Sequence, residues 1–296
     1  MSSHPKSARN RPPWLKVRVR DSENARYVQE LMDRYHLHTV CREANCPNRM
    51  ECFDSRTATF LILGSVCTRN CTFCNITKGE PEMVDPEEPR HIAEAVETLG
   101  LRYAVITAVT RDDLPDGGAD HFAAVVREVK KRVPEVMIEL LIPDFKGERT
   151  ALEKAVCSGA EVLNHNVETV PSLYSSVRPL ADYDQSLTVL REAKKIKPNI
   201  ITKSGIMLGL GEKQEEVTAV LEDLSSAGCD LLTIGQYLVP SDQHHPVVEY
   251  VHPDIFDQYA EKARALGFTA VASAPFVRSS YKAAEMALKA FESRNG

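Results

Sequence analysis

The 296-residue sequence has no long apolar segment, no excess of basic residues and no internal repeat. No stretch approaches the roughly 20 apolar residues of a transmembrane helix. The first ten residues lack the apolar core of a secretory signal. The formal net charge of −6 argues against general nucleic-acid binding. We therefore expect a cytoplasmic monomer that binds neither membranes nor nucleic acid.

The acidic balance has one local exception, a basic N-terminal run that precedes the first acidic residue, Asp21. Its members are Lys6, Arg9, Arg11, Lys16, Arg18 and Arg20. Such a run is usually a solvated arm. The alternative is that it docks onto an acidic partner.

Six apolar, strand-like segments recur along the chain: Thr59–Gly64, Tyr103–Val109, Val136–Ile142, Glu161–Asn164, Ile200–Leu208 and Leu231–Ile234. Segments with helical periodicity lie between them: Glu88–Leu99, His121–Lys131, Glu148–Ser158, Tyr183–Lys195 and Glu212–Ala227. This alternation predicts an α/β fold with parallel strands joined by right-handed crossovers. Six such units favour a (β/α)6 partial barrel or a full barrel, with a doubly wound open sheet as the alternative.

The segments outside this repeat predict two extensions. Residues 1–58 lack strand alternation and contain one predicted helix, around Asn24–Tyr35. Thr269–Ala272 is a candidate seventh strand, followed by a terminal helix from about Ser280. We therefore divide the chain into an N-terminal extension (1–58), a barrel (59–240) and a C-terminal extension (241–296).

Polar motifs follow all six predicted strands: Cys67–Cys74, Arg111–Asp113, Pro143-Asp144, His165–Glu168, Gly209–Glu212 and Gln236-Tyr237. In an α/β barrel, the loops after the strands meet at one rim, where active sites are found. The sequence therefore predicts a single large site.

Six of the eight cysteines form two triplets, and the second has the spacing C-x3-C-x2-C at Cys67, Cys71 and Cys74. Clustered cysteines in a reducing compartment bind metal or do redox work more often than they form disulfides. Three thiolates can hold three irons of a 4Fe-4S cube and leave the fourth iron open for chemistry. A zinc site would need a fourth ligand, and a ferredoxin would have C-x2-C-x2-C spacing.

The first triplet, Cys41, Cys46 and Cys52, has the spacing C-x4-C-x5-C, which suits neither a zinc finger nor the second loop. It also lacks a fourth ligand for a closed cluster. Cys157 or Cys229 could supply that ligand, but both lie in or beside predicted helices, and we expect both to pack as small buried residues.

The second triplet, with Phe73 just before its last cysteine, resembles the signature of radical S-adenosylmethionine (radical SAM) enzymes. That resemblance implies that S-adenosylmethionine binds the open iron. One electron then yields methionine and a 5′-deoxyadenosyl radical, which takes hydrogen from an unactivated carbon.

Further motifs are similar to those of the superfamily's S-adenosylmethionine site. The Ser204–Glu212 segment, with Gly209 and Gly211, resembles the stretch whose backbone lies along the adenine. Asn166 and Glu168 resemble ribose and methionine contacts. Asp112 and the adjacent Asp113 are candidates for binding the methionyl ammonium, or they cap the next helix. The glycines can equally form a simple turn, and Glu168 can be a surface carboxylate.

The chain as a whole, from about Pro13 to Ala284, resembles the lipoyl synthase family. The resemblance rests on both triplets and on four further segments: Arg56–Phe60, Leu163–Thr169, Ile234–Leu238 and Arg278-Ser279-Ser280-Tyr281. It implies that Cys41, Cys46 and Cys52 hold an auxiliary 4Fe-4S cluster with Ser280 as the fourth ligand. From the residues alone, Ser279 and Ser280 also read as a helix N-cap.

The resemblance further implies insertion of two sulfur atoms at C6 and C8 of an octanoyl-lysyl group, with the auxiliary cluster as sulfur donor. Implied partners are an octanoylated lipoyl carrier domain (the E2 subunit of a 2-oxoacid dehydrogenase or the glycine cleavage H protein), an electron donor such as flavodoxin or ferredoxin, and an iron–sulfur carrier. The alternatives are a biotin synthase-like or methylthiotransferase-like enzyme, or a non-catalytic iron–sulfur protein.

Overall fold

A computed structural model describes residues 11–16 and 22–295. The basic residues Lys6, Arg9, Arg18 and Arg20 lie outside the described residues. The strands are β1 (His38–Thr39), β2 (Thr59–Ile62), β3 (Val66–Cys67), β4 (Thr77–Lys78), β5 (Tyr103–Ala108), β6 (Met137–Leu141), β7 (Val162–Asn164), β8 (Ile201–Leu208), β9 (Leu231–Gln236) and β10 (Ala270–Ser273). The helices are α1 (Glu23–Arg34), α2 (Val40–Glu43), α3 (Arg49–Asp54), α4 (Glu88–Leu99), α5 (Ala119–Arg132), α6 (Arg149–Val156), α7 (Tyr174–Val177), α8 (Tyr183–Ile196), α9 (Gln214–Ser226), α10 (Pro253–Ala265) and α11 (Ala283–Asn295).

Eight strands form one sheet in the order β1-β2-β5-β6-β7-β8-β9-β10, and β3 and β4 form a separate parallel pair. Every neighbouring pair in the large sheet is parallel except β1–β2, which is antiparallel. The parallel strands follow one another in chain order. A doubly wound sheet would reverse that order at a switch point. The predicted α/β fold with a partial barrel is therefore confirmed, and the doubly wound alternative is excluded.

Local sequence signals place the helix ends. Ser22 caps α1 by accepting a hydrogen bond from the backbone N–H of Ala25, and Asp182 caps α8 in the same way through Gln185. Helix α4 ends at Gly100, whose φ of 64° is a left-handed conformation that glycine adopts without strain.

The apolar core has no break between the N-terminal extension and the barrel. Val28 and Met32 of α1 and Phe53 of α3 are almost completely buried in the same cluster as Phe60 of β2. Burial of this kind fixes the extension against the first strands, because apolar surface removed from water stabilises the contact by about 25 cal/mol per Å2. The extension carrying the first cysteine triplet therefore packs directly on the barrel.

A buried ion pair lies inside the curved sheet. Glu139 of β6 and Lys203 of β8 are both 0% exposed, and their charged atoms are 2.9 Å apart. Asn164 of β7, the strand between them, donates to the same carboxylate at 2.9 Å, and the hydroxyl of Tyr103 donates to it at 2.7 Å. These side chains share one face of four neighbouring strands, so a polar network fills the barrel interior below the rim.

Three features differ from the sequence analysis. The N-terminal extension contains a strand, β1, which is too short to produce an alternating pattern. Helix α10 was not predicted, although it begins with Pro253 and buries Phe256, Tyr259 and Ala263 at helical spacing. Cys157 is exposed at the end of α6, so its predicted burial is wrong, whereas Cys229 is buried as expected.

Among the described residues, no helix is long and apolar enough to cross a bilayer.

Candidate active site

A cavity of about 830 Å3 lies at the carboxyl ends of the parallel strands. Its lining includes residues that follow β6, β7 and β9, among them Asp144, His165 and Tyr237. All six clustered cysteines line it: Cys41, Cys46, Cys52, Cys67, Cys71 and Cys74. The structure thus brings the two sequence triplets to one site.

Backbone contacts hold the second triplet in place. Cys67 ends β3, and its Sγ accepts hydrogen bonds from the backbone N–H groups of Arg69 (3.4 Å) and Thr110 (3.3 Å). Between the other two cysteines, the N–H of Thr72 donates to the carbonyl oxygen of Val177 at 3.0 Å. The loop is therefore fixed against the barrel on both sides of Cys71.

Arg69, inside the cysteine motif, is held by two carboxylates. Its guanidinium donates to both oxygens of Asp112 (2.8 and 3.1 Å) and both oxygens of Asp144 (2.8 and 2.6 Å). Bidentate Arg–carboxylate pairs combine charge with fixed geometry. Because the two acids follow β5 and β6, this fork anchors the cysteine loop to the rim.

The first triplet lies on two short helices and the turn between them. Cys41 belongs to α2 and Cys52 to α3, while Cys46 lies in the connection. The side-chain amide of Asn75, next to Cys74, donates to the carbonyl oxygen of Glu43 at 2.7 Å. This bond joins the two cysteine segments directly.

Two hydrogen bonds hold the segment that carries Ser279 and Ser280 against the first triplet. Asn48 donates to the carbonyl oxygen of Phe276 at 2.7 Å, and the hydroxyl of Tyr281 donates to Glu51 at 2.9 Å. Ser279 and Ser280 lie between these anchors and line the same cavity as the cysteines. The geometry places both serines at the site and does not choose between them.

The arrangement of the thiols favours a cluster over a single ion. All eight cysteines are free, and among the described residues no three His, Cys, Asp or Glu side chains converge on one metal position. A structural zinc ion takes four ligands on one metal, whereas a 4Fe-4S cube takes one thiolate per iron and suits a triplet of cysteines. Two triplets of soft sulfur donors, one with an oxygen donor beside it, fit two such cubes.

Burial raises the pKa of four of the six clustered thiols and so favours their protonated form in the absence of metal. It raises the pKa of Cys41 to about 11 and the pKa of Cys52 and Cys74 to about 12, and it also raises the pKa of Cys71. Because iron binds the thiolate, cluster assembly must release these protons.

Asn166 and Glu168 lie together in the cavity wall. Asn166 donates to the Glu168 carboxylate at 3.0 Å, and its own Oδ1 is buried without a partner. Burial raises the pKa of Glu168, and the positive charge of Arg178 opposes that shift. Glu168 has a φ of 66°, a conformation that costs a non-glycine residue about 1–2 kcal/mol. Such strain is typical of functional positions.

The other predicted contacts do not line this cavity. Asp112 lines a smaller neighbouring cleft and binds Arg69. Gly209 and Gly211 lie in the turn after β8, with φ values of 96° and 116°. A Cβ on Gly209 would come within 2.3 Å of the Glu249 carbonyl oxygen, so the position requires glycine for close packing.

Arg178 is a site residue that the sequence analysis missed. It donates to the carbonyl oxygens of Asn166 and Val167, both at 3.1 Å, and lies over the ring of Tyr174 with its Nε unpartnered. An isolated arginine outside any motif gives no sequence signal. Arg69, by contrast, lies inside the cysteine motif and could have been selected on that ground.

The comparisons with known proteins agree with this geometry. Residues 61–236 match the Radical SAM superfamily. Lipoyl synthase from Caldicellulosiruptor saccharolyticus is 56% identical over 275 residues, which cover 93% of this chain and 96% of that protein. Lipoyl synthase from Geobacter sulfurreducens is 53% identical, with 93% and 90% covered.

Among solved structures, Streptococcus suis SuiB bound to S-adenosylmethionine superposes with a TM-score of 0.58 at 10% identity, covering 76% of this chain and 54% of that one. This likeness shows the fold. The family match and the near full-length relatives show more: the chain is a radical SAM enzyme of the lipoyl synthase family.

Proposed function

We propose that this chain converts a protein-bound octanoyl-lysyl group to a lipoyl group by inserting sulfur at C6 and C8, with one S-adenosylmethionine consumed for each insertion. The observation that carries the proposal is the meeting of two cysteine triplets and a serine pair in one cavity. One cluster would suffice for radical formation. Sulfur insertion also needs a sulfur donor close to the radical, and a second cluster facing the same cavity would be that donor.

Each triplet is assigned to one cluster. Cys67, Cys71 and Cys74 would hold the radical-forming 4Fe-4S cluster, which would also bind S-adenosylmethionine. Cys41, Cys46, Cys52 and Ser280 would hold the auxiliary 4Fe-4S cluster. When bound, the first cluster supplies the electron that cleaves S-adenosylmethionine, and the second supplies the sulfur atoms.

Residues around the second triplet, Cys67, Cys71 and Cys74, bind and orient S-adenosylmethionine. Arg178, buried and charged, suits its carboxylate, and the oxygens of Asn166 and Glu168 suit hydroxyl donors. Phe73 packs with Tyr237 and Val239 in a small apolar cluster beside Cys74. This packing excludes water from the place where a reactive carbon radical would form.

The acyl chain requires an apolar surface within the same cavity. Leu61, Leu141, Ile142 and Ile206 are lining residues and provide one. The chain reaches it on a lysyl arm, so the substrate is a carrier domain rather than a free acid. We propose an octanoylated lipoyl domain of an E2 subunit or a glycine cleavage H protein as carrier.

Two further partners follow from the chemistry. Reduction of the first cluster needs a one-electron donor such as flavodoxin or ferredoxin, and a consumed auxiliary cluster needs an iron–sulfur carrier for its replacement. The cavity lining contains Arg11 and Lys78, and Lys78 is exposed. We propose that these cations attract an acidic surface of the carrier domain. Because salt screens such attraction, added salt should weaken carrier binding.

The test is anaerobic turnover of the reconstituted protein with an octanoyl-lysyl peptide. The protein should hold about eight irons, form 5′-deoxyadenosine and add two sulfur atoms to the peptide. C41A should keep roughly half the iron and still cleave S-adenosylmethionine, but it should add no sulfur. C157A, at an exposed cysteine, is the matched control and should resemble wild type. Sulfur insertion by C41A would refute the assignment of the sulfur donor.

A further inference from the structure

Residues 239–251 lie between β9 and α10 without regular structure, and they are called the strap below. Long irregular segments in compact domains usually have a functional reason. Val239 and Val247 of the strap pack with Phe73 of the cysteine loop and Leu210 after β8. The strap therefore contacts two separate segments at once, the cysteine loop and the turn after β8.

His245 links the strap to both segments. Its backbone N–H donates to the carbonyl oxygen of Thr72, in the cysteine loop, at 3.0 Å. Its Nε2 lies 2.9 Å from the carbonyl oxygen of Leu210, and because a carbonyl only accepts, Nε2 carries the proton. The hydroxyl of Tyr237 donates to the His245 carbonyl oxygen at 2.7 Å, which fixes the residue further.

The side chain of His244 makes a hydrogen bond to the backbone of Cys74, a proposed cluster ligand. Its Nε2 donates to the carbonyl oxygen of Cys74 at 3.1 Å. The other ring nitrogen, Nδ1, lies 2.8 Å from the hydroxyl of Ser241 and accepts a hydrogen bond from it. The ring is thus held at both nitrogens, so its donor points at the cysteine loop in a fixed direction.

The far end of the strap is fixed to the turn after β8. The N–H of Val248 donates to the carbonyl oxygen of Gly209 at 2.9 Å. Gln236 donates to the Glu249 carbonyl oxygen (3.0 Å) and accepts from the N–H of Val251 (2.8 Å). The close approach to Gly209 leaves no space for a side chain there.

We infer that His244 and His245 are positioning residues that clasp the Cys74 loop to the Gly209-Leu210 turn at the end of β8 and so fix the orientation of the radical-forming cluster relative to the barrel. This inference rests on the proposed assignment of Cys67, Cys71 and Cys74. A loosened clasp would leave the cluster bound but would let the adenosyl radical form out of register with the acyl chain. Its signature is uncoupling, seen as 5′-deoxyadenosine formed without sulfur insertion.

The experiment compares H244F, H244Q and H91F in the reconstituted enzyme with the octanoyl-lysyl peptide. H244F keeps an aromatic ring and loses the donor, whereas H244Q keeps an amide donor near the position of Nε2. H91F alters a histidine on the outer helix α4 and is the control. We expect H244F to raise the ratio of 5′-deoxyadenosine to inserted sulfur about tenfold, the scale of one lost hydrogen bond. H244Q and H91F should stay near the wild-type ratio.

Iron content, measured on the same samples, separates the outcomes. Wild-type iron in H244F together with the raised ratio supports the clasp. An unchanged ratio in H244F overturns it, as does a loss of half the iron, since His244 would then serve to retain the cluster. A wild-type enzyme that fails to cleave S-adenosylmethionine would instead refute the cluster assignment, and the clasp with it.

Discussion

The side chain of Asn48 donates a 2.7 Å hydrogen bond to the carbonyl oxygen of Phe276, a residue 228 positions away in the chain. Asn48 lies between Cys46 and Cys52, and Phe276 precedes the serine pair by a few residues. One hydrogen bond therefore ties the C-terminal segment to the first triplet.

We expect N48A to weaken the auxiliary cluster selectively, because the carbonyl oxygen of Phe276 would be left unsatisfied at a cost of about 1–3 kcal/mol. Chelator-dependent iron release from the auxiliary site should be about tenfold faster or more than in wild type. N24A is the control, since Asn24 makes a similar bond to Asp54 at an exposed position. Equal iron release from both variants would contradict the prediction.

Substitutions of Ser279 and Ser280 should have different effects on sulfur insertion. S280A should lose sulfur insertion while it keeps S-adenosylmethionine cleavage, and S279A should retain both, as measured by peptide mass and 5′-deoxyadenosine. S280C should hold its iron more firmly and turn over more slowly, because thiolate suits iron–sulfur chemistry better than a serine oxygen. Insertion by S280A together with its loss in S279A would move the ligand to Ser279.

Asp144 should make stability depend on acid pH. Burial raises its pKa, but the hydrogen bonds and charge of Arg69 outweigh burial and hold the pKa at about 2. A lowered pKa in the folded state means that the ionised form stabilises the fold. This contribution is complete above about pH 4 and is lost as the pH falls toward 2.

Urea unfolding of the cluster-free protein measures this effect. The free energy of unfolding of wild type should exceed that of D144N by an amount that shrinks by about 2 kcal/mol between pH 6 and pH 2. A difference that stays constant over this range would show that Asp144 contributes through packing and not through its charge.

The buried pair of Lys203 and Glu139 predicts a larger loss of stability. K203M leaves the Glu139 carboxylate buried without a cation and should lower the free energy of unfolding by about 3–5 kcal/mol. The double variant K203M/E139L should recover most of this loss. K154M breaks an exposed pair with Asp120 and should change stability by less than about 1 kcal/mol. A single-variant loss no larger than that of K154M would contradict the prediction.

Periodicity and spacing predicted much of this protein. Buried runs such as Leu231–Ile234 and the alternating helices were sufficient for the α/β partial barrel, because the positions of apolar residues reflect the burial of whole elements. The polar motifs after the six predicted strands similarly pointed to one rim, since the carboxyl ends of parallel strands meet there. Helix α10 had a readable signal in Pro253 and the spacing of Phe256, Tyr259 and Ala263.

The remaining parts of the site depend on contacts between distant segments. Arg178, His244 and the Asn48–Phe276 bond have no local signature, because each partner is specified only once the chain has folded. The roles of Asp112 and Gly209 were likewise open from sequence. The structure gives each a neighbour, Arg69 for the first and the strap for the second.

The antiparallel pairing of β1 with β2 has a consequence for metal chemistry. His38 lies opposite Leu61 and Thr39 opposite Phe60, and Cys41 follows two residues later. A slip of one residue in this pairing would turn each side chain of β1 to the opposite face and carry Cys41 away from its neighbours. The register of β1 on β2 therefore determines where the Cys41 thiol lies. Because β1 covers the free edge of β2 and is itself only two residues long, it also leaves little strand edge for another molecule to pair with.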